Sequence, residues 1–283
     1  MLGGVSVGPE KRKERLYRRG LVALLAGLLV VGVALADPMK WREYPGVEYY
    51  GFELPTDFRR PAEWTFARLM YPSIGWGGSW QNGGTSWTID YPRGDRHIAA
   101  LVRRLSVIDA RSVEQPVNLD DGDDVFDWPW LYAVEVGTWD LTEQQVAKLR
   151  EYLLRGGFLM VDDFHGLEQW AIFMESMRRV FPDRPVVDIE PKDQIFHIVY
   201  DLDNKFQVPG AQFLYSGSLY EQDGVEPKWR GIYDDHGRLM VGILHNQDHG
   251  DAWEWADRPQ YPEKYASQAY RIGVNYLVYS MTH

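Results

Sequence analysis

The chain contains no cysteine among its 283 residues. This absence excludes disulfide bonds, thiolate metal sites and a cysteine nucleophile. No glycine-rich loop ends in Gly-Lys-Ser/Thr, and Gly75, Gly77 and Gly78 do not have the spacing of a dinucleotide-binding loop. A Gly-x-Ser-x-Gly segment, the nucleophile turn of many serine hydrolases, is also missing. The sequence therefore lacks the common cofactor and serine-hydrolase motifs.

Positive charge is scarce beyond the first 36 residues. Residues 1–36 hold 6 of the 30 Lys and Arg residues but only 2 of the 41 Asp and Glu residues. The remaining 247 residues carry 24 basic and 39 acidic side chains, which is a formal net charge of −15. Because such a surface repels phosphate backbones and anionic lipid headgroups, we exclude nucleic acid as a partner.

Residues 1–36 have the pattern of an export signal. A basic segment at residues 11–19 precedes an uncharged run over Gly20–Leu35, and Ala34-Leu35-Ala36 has the small-x-small pattern of a signal-peptidase site. As a helix, the run would span about 24 Å, less than the roughly 30 Å hydrocarbon core of a bilayer. We predict a cleaved signal peptide, with an uncleaved transmembrane anchor as the alternative and the export route left open. Residues 37–283 are expected in the periplasm, free or attached to the inner membrane.

Beyond residue 36, the chain divides into an extended arm at residues 37–63 and one α/β domain at residues 64–283. An apolar strand at Leu131–Val136, a helix that starts with a Thr142 capping box and ends at Gly156-Gly157, and a buried strand at Phe158–Val161 follow one another. This alternation predicts βαβ units in a doubly wound, mostly parallel sheet. Further strands are predicted at 64–71, 186–189, 231–237 and 238–244, and further helices from Pro92, at 167–181 and at 263–281.

Four segments of the domain resemble the domain of unknown function 4159 family. They are Trp87–Pro92, Leu141–Phe164, Ile195–His197 and His245–Glu254. The helix, Gly156-Gly157 and strand also resemble trehalose-utilisation-type proteins of the class I glutamine amidotransferase-like superfamily. The resemblance implies a flavodoxin-like, glutamine amidotransferase-like sheet without the cysteine nucleophile, because Asp162-Asp163-Phe164-His165 follows the strand where those enzymes have cysteine. It also implies an assembly role in the cell envelope, with von Willebrand A-domain proteins as partners.

Two polar segments follow predicted strands, one after Phe158–Val161 and one after Leu239–Leu244. The carboxyl ends of parallel strands open onto the same crevice, so we expect these segments to form the principal polar site. Adjacent strand residues point to opposite faces, so one aspartate of the Asp162-Asp163 pair can cap a helix while the other faces the crevice. The expected ligand-binding residues are Asp162, Asp163, His165, His245, Asp248, His249 and Asp251, with Tyr91, Asp95 and Arg96 as a third wall.

The second polar segment permits three interpretations: a divalent-metal site, a polar ligand site or a hydrogen-bonded turn. His245, Asp248 and His249 are the candidate metal ligands, although their spacing matches no zinc motif. No cofactor is otherwise predicted. The glycine-rich loop with Trp76, Trp80 and Trp87 is expected to fold onto the domain, with stacking against a glycan as the alternative.

Two functions fit these features. The preferred one is a non-catalytic binding or assembly module that holds an envelope protein or a glycan at the strand ends. The alternative is a metal-assisted or acid–base hydrolase of a carbohydrate or peptide, with Asp163, His165 and His245 as catalytic groups. A hydrolase requires these side chains to converge around a pocket, whereas a binding module requires an exposed apolar or aromatic patch.

Overall fold

A computed structural model describes residues 41–283. The predicted export segment and its transmembrane alternative lie outside the described residues. Residues 41–63, the described part of the predicted arm, contain no helix or strand. Among the helices of residues 41–283, none is long and apolar enough to cross a membrane.

A seven-stranded, mostly parallel sheet forms the centre of the domain. Its order is β2-β1-β3-β4-β7-β6-β5, in which β6 runs antiparallel to both of its neighbours. This arrangement is consistent with the flavodoxin-like α/β fold that the sequence predicts. The strands are β1 (Ala67–Met70), β2 (Gln115–Asn118), β3 (Trp130–Val134), β4 (Phe158–Asp162), β5 (Val187–Asp188), β6 (Lys228–Tyr233) and β7 (Leu239–His245).

Helices cover both faces of the sheet. They are α1 (Arg93–Leu105), α2 (Glu143–Leu154), α3 (Gly166–Val180), α4 (Gln212–Ser216), α5 (His249–Glu254) and α6 (Glu263–Thr282). Side chains of β3 alternate between two hydrophobic clusters: Trp130 and Tyr132 pack with α1 and α6, and Leu131 and Ala133 pack with α2 and α3. Because both faces of β3 are buried, the sheet lies between two helical layers, as a doubly wound fold requires.

The predicted βαβ unit between β3 and β4 is confirmed. The two strands pair in parallel, with Leu131 opposite Leu159. Between them, Thr142 Oγ1 accepts a hydrogen bond from the Gln145 amide, and the Gln145 side chain accepts one from the Thr142 amide. The helix ends before Gly156, which has a φ of 113°. This is a backbone conformation that residues with a Cβ rarely adopt.

Strand β7 joins the antiparallel hairpin of β6 and β7 to the parallel part of the sheet. It pairs antiparallel with β6 and parallel with β4, so its carboxyl end lies at the same edge as that of β4. Three elements were not predicted: β2, whose Pro116 is unusual in a strand, α4, and α5, where the sequence suggested a turn. The helical spacing of Leu167, Trp170, Met174, Met177 and Phe181 predicts one buried stripe on α3. This prediction is wrong at Leu167, which lies in the first turn at the sheet edge and is 73% exposed.

Candidate functional site

Acidic residues meet at the carboxyl edge of the four adjacent strands β1, β3, β4 and β7. Asp90 lies in the connection from β1 to α1, Glu135 follows β3, Asp163 follows β4, and Asp248 follows β7. From β1 the chain moves outward to β2 and then returns to β3 on the other side. Such a reversal of strand order opens a crevice in which α/β proteins bind their ligands.

The centre of this crevice is a cluster of three buried aspartates. One carboxylate oxygen from each of Asp90, Asp163 and Asp248 lies within 4.8 Å of the other two. Asp90 is fully buried, and Asp163 and Asp248 are 6% and 3% exposed. Among residues 41–283, neither side-chain oxygen of Asp90 has a hydrogen-bond partner. A buried carboxylate without a partner is costly, so Asp90 indicates that a cationic or hydrogen-donating group belongs at this point.

Burial perturbs the ionisation of the whole cluster. It raises the pKa of Asp90, Asp163 and Asp248 well above the usual range of an aspartate, and the neighbouring carboxylates add to this effect. For the same reasons the pKa of Glu254 is raised to about 8 and that of Glu135 to about 7. Several groups that titrate so far from their ordinary range are typical of functional sites.

The backbone of this edge is strained at several non-glycine residues. Asp90, Glu135, Asp163 and Asn246 have φ values of 62°, 53°, 52° and 63°. Each left-handed non-glycine residue costs roughly 1–3 kcal/mol, and such residues concentrate at active and binding sites. Asn246 is held by its own side chain, which accepts from the Gly166 amide and donates to the Glu226 carbonyl oxygen. The strained residues thus lie beyond the carboxyl ends of the strands, where the acidic side chains of the site are.

Two glycines allow the carboxylates to approach the backbone. A Cβ atom at position 250 would overlap Asp90 Oδ2, and a Cβ atom at position 210 would overlap Asp248 Oδ2. Gly250 lies in α5 and Gly210 precedes α4. Only a residue without a side chain fits at either position while the aspartates keep their places.

The two adjacent aspartates after β4 have different environments. Asp162 accepts hydrogen bonds from the amides of His249 and Gly250 at 2.6 and 3.0 Å, and from the Tyr132 hydroxyl at 3.2 Å. These contacts hold the amino end of α5. Asp163 instead turns into the three-aspartate cluster. Asp162 therefore positions the amino end of α5, which Asp248 directly precedes, and Asp163 belongs to the cluster itself.

His165 is the histidine that lies against the cluster. Its Nε2 is 3.1 Å from Asp163 Oδ1 and 3.8 Å from Glu221 Oε1. Its Nδ1 is buried and has no partner among residues 41–283. Burial lowers the pKa of His165 to about 4, so the ring is neutral at pH 7. A neutral imidazole with one free nitrogen can bind a metal or accept a proton.

The other two predicted histidines are held by structural contacts. His245 Nε2 lies 3.0 Å from the Gly166 carbonyl oxygen, and the ring lies 4.8 Å from the ring centroids of both Phe164 and Trp170. His249 Nδ1 lies 2.9 Å from Asp162 Oδ1. The structure thus brings the 162–165 and 245–251 segments together. Of the three predicted metal ligands, Asp248 alone belongs to a group of converging ligand atoms within residues 41–283.

The predicted third wall contacts other partners. Asp95 forms a buried ion pair with Arg68, and Arg96 forms one with Glu114 at 3.0 Å. The Tyr91 hydroxyl accepts from the amide of Tyr44. Their assignment as ligand-binding residues stays a prediction. The connection from β1 to α1 contributes Asp90 to the cluster. Asp90 lies within one of the segments of family resemblance.

Two further groups of ligand atoms share a member with the central cluster. Asp163, His165 and Glu221 form one, and Glu48, Asp90 and Glu254 form the other.

Sequence reasoning missed Glu48, Asp90, Glu135 and Glu221 as site residues. The sequence feature that could have identified Asp90 was its position shortly before Pro92, where the connection from β1 ends and α1 begins. Glu48 and Glu221 lie in segments without periodicity, so no sequence pattern places them.

The tryptophan-rich loop packs partly onto the domain, and the main apolar groove lies apart from the acidic groups. Trp87 is fully buried and donates to the Trp80 carbonyl oxygen, whereas Trp76 and Trp80 are half-buried. An apolar groove of about 770 Å³ lies between α1 and α6 and includes Val107 and Met281. The groove contains none of the acidic site residues, so the two are separate surfaces.

Comparison with known proteins gives a family but no activity. Residues 65–281 match the family described as domain of unknown function 4159. No curated protein matches the chain.

Proposed function

This chain belongs to the family of domain of unknown function 4159, a description that names no activity, and we therefore propose its function from the acidic site alone. The protein binds a hard divalent cation between Asp90, Asp163 and Asp248. The cation in turn holds an oxygen-rich ligand, a glycan or a peptide of the cell envelope, without cleaving it. This is a metal-dependent form of the binding module that the sequence favours.

The observation that carries the proposal is the Asp90 carboxylate, which is fully buried and has no hydrogen-bond partner in the described part of the chain. Two ionised carboxylates within 4.8 Å of it would repel it strongly. A divalent cation between the three oxygens replaces repulsion with coordination. Three carboxylate ligands leave open positions on a cation of six or more ligands, and an external ligand can occupy those positions.

The ligand chemistry selects the class of cation. Carboxylate oxygens suit Mg²⁺, Mn²⁺ and Ca²⁺, whereas softer ions favour sulfur and imidazole ligands. The three groups of the central cluster are all carboxylates. Since the chain has no cysteine, thiolate coordination is excluded.

Unpartnered amides beside the cluster support a polar ligand. The side-chain amide oxygen and nitrogen of Gln247 and of Gln212 are buried and have no partners in the part of the chain that the structure describes. The main-chain carbonyl oxygen of Gln247 accepts from the Asp163 amide. The side chains of Gln212 and Asp248 both lie close to the backbone at Gly210. An amide offers both a donor and an acceptor, which matches sugar hydroxyls or a peptide backbone.

The second candidate function is metal-assisted hydrolysis, which one observation favours. His165 is neutral and lies 3.1 Å from Asp163, so it can accept a proton from a water molecule bound at the cluster. In this case Asp163 holds the metal and His165 is the base. The substrate classes are again a carbohydrate or a peptide.

We also propose the finer fold relationship and location that the sequence predicts. Asp163 lies on a left-handed turn between β4 and α3, the place where glutamine amidotransferase-like enzymes have their cysteine, which supports descent from that superfamily. The basic and apolar pattern of residues 1–36 supports export to the periplasm. An exported acidic module is suited to envelope partners, including von Willebrand A-domain proteins.

Titration calorimetry of the full-length chain with MnCl₂ tests the proposal. We expect saturable binding that is lost in Asp90→Asn and retained in Asp121→Asn, a matched change at an exposed aspartate. Absence of saturable binding in the unaltered chain would refute the proposed function. With Mn²⁺ bound, turnover of nitrophenyl glycosides or of a peptide library that disappears in His165→Ala would instead establish the hydrolase.

A further inference from the structure

A second pair of carboxylates lies on the side of Asp90 that faces the arm. Glu48 and Glu254 each place an oxygen within 4.8 Å of the other and of Asp90. Glu254 is 1% exposed, and its Oε2 is buried without a partner among the residues that the structure describes. Its other oxygen accepts from the Tyr49 hydroxyl. Glu48 uses Oε2 to accept from the Asp90 amide at 2.9 Å, and within the described residues this leaves Oε1 available.

The nearby arginines bind other carboxylates. Arg93 pairs with Asp257 and donates to the Tyr49 hydroxyl, and Arg68 pairs with Asp95. Five carboxylates remain in the two overlapping groups: Glu48, Asp90, Asp163, Asp248 and Glu254. All of them except Glu48, which is exposed, are buried, and a single divalent cation cannot compensate the full negative charge of the five ionised groups.

We propose that a second divalent cation binds between Glu48, Asp90 and Glu254, with Asp90 as a carboxylate that bridges the two cations. This inference rests on the proposed function, since the first cation lies between Asp90, Asp163 and Asp248. Within residues 41–283, both oxygens of Asp90 lack hydrogen-bond partners, which provides one oxygen for each cation. Two-metal sites with such bridging ligands place their ions about 3.5–4 Å apart.

The second site makes the arm part of the metal centre. Glu48 is on the arm, whereas the first site consists of residues of the α/β domain alone. Neighbouring contacts already hold this part of the arm, because the Pro45 carbonyl oxygen accepts from the Gly84 amide and the Gly46 amide donates to the Tyr49 carbonyl oxygen. The two cations are therefore separable by a change in the arm.

Equilibrium dialysis of the full-length chain against MnCl₂, with metal counted by atomic absorption, tests the second site. We expect two Mn²⁺ per chain, one in Glu48→Gln and two in Glu43→Gln, which changes an exposed arm glutamate five residues earlier. Circular dichroism checks that both variants fold, and spin-coupled electron paramagnetic resonance signals should disappear in Glu48→Gln alone.

Each other outcome has a distinct meaning. One Mn²⁺ per chain, unchanged by Glu48→Gln, would overturn the second site and leave the first in place. Two Mn²⁺ in both the unaltered chain and Glu48→Gln would overturn the role of the arm and with it this inference. No bound Mn²⁺ would overturn the proposed function itself.

Discussion

Replacing Asp90 by Asn should affect stability in opposite directions without and with metal. Without metal, the change removes one of three buried carboxylates whose oxygens lie within 4.8 Å of one another. At that separation and an effective dielectric constant of 20, each ionised pair repels by about 3.5 kcal/mol. Protonation relieves part of this repulsion, because the pKa of all three groups is raised. We therefore expect Asp90→Asn to gain about 1–3 kcal/mol at pH 8 in EDTA, within this dielectric estimate.

Saturating metal should reverse that order. A ligand at 1,000 times its dissociation constant stabilises the folded state by about 4.1 kcal/mol, which exceeds the gain expected in EDTA, and Asp90→Asn lacks the central metal ligand. Thermal denaturation at pH 8, in EDTA and in MnCl₂, measures both effects, and 1 kcal/mol corresponds to roughly 2–4 °C for a domain of this size. Asp121→Asn should follow the unaltered chain under both conditions. A variant that is less stable than the unaltered chain in EDTA and shows the same Mn²⁺ shift would refute the reasoning.

Three further predictions follow from the same contacts. Gly250→Ala should abolish Mn²⁺ binding in calorimetry, because its Cβ would displace Asp90. Unchanged affinity would count against the close approach of the Asp90 carboxylate to the backbone at Gly250. The pKa of Glu254 is raised to about 8 and that of Glu135 to about 7, so the folded chain keeps protons that the unfolded chain has released. The free energy of unfolding in EDTA should therefore fall as pH rises from 5 to 8, and a rise would contradict this assignment. Leu149→Ala should lose about 2–5 kcal/mol in urea denaturation, since Leu149 is fully buried under the sheet; a loss below about 1 kcal/mol would place it outside the core.

Local signals predicted the centre of the fold well. The Thr142 capping box, Gly156-Gly157 and the apolar strand Phe158–Val161 are short-range features, and each determines the conformation of its own segment. The parallel pairing of β3 and β4 follows from them through the usual handedness of such crossovers. Strand β2 was missed because a polar segment with Pro116 has none of the composition of a strand and forms only through its pairing with β1.

The site was predictable only in part. The 162–165 and 245–251 segments could be placed at one edge because both follow apolar strands. Which side chains face the cluster depends on single backbone angles, such as the left-handed conformations of Asp90 and Asp163, and no sequence period encodes these. Near the start of α1, prediction therefore selected Tyr91, Asp95 and Arg96, whereas Asp90, in the β1–α1 connection, occupies the cluster. Glu48 comes from an aperiodic arm whose position depends on tertiary contacts alone.

An anomalous diffraction measurement on crystals soaked in MnCl₂ tests the central claim most directly. The account predicts a manganese peak about 2.0–2.6 Å from carboxylate oxygens of Asp90, Asp163 and Asp248. The same soak of Asp90→Asn crystals should show no peak at that position. Well-diffracting crystals of the unaltered chain in which these three carboxylates hold no manganese would contradict the account.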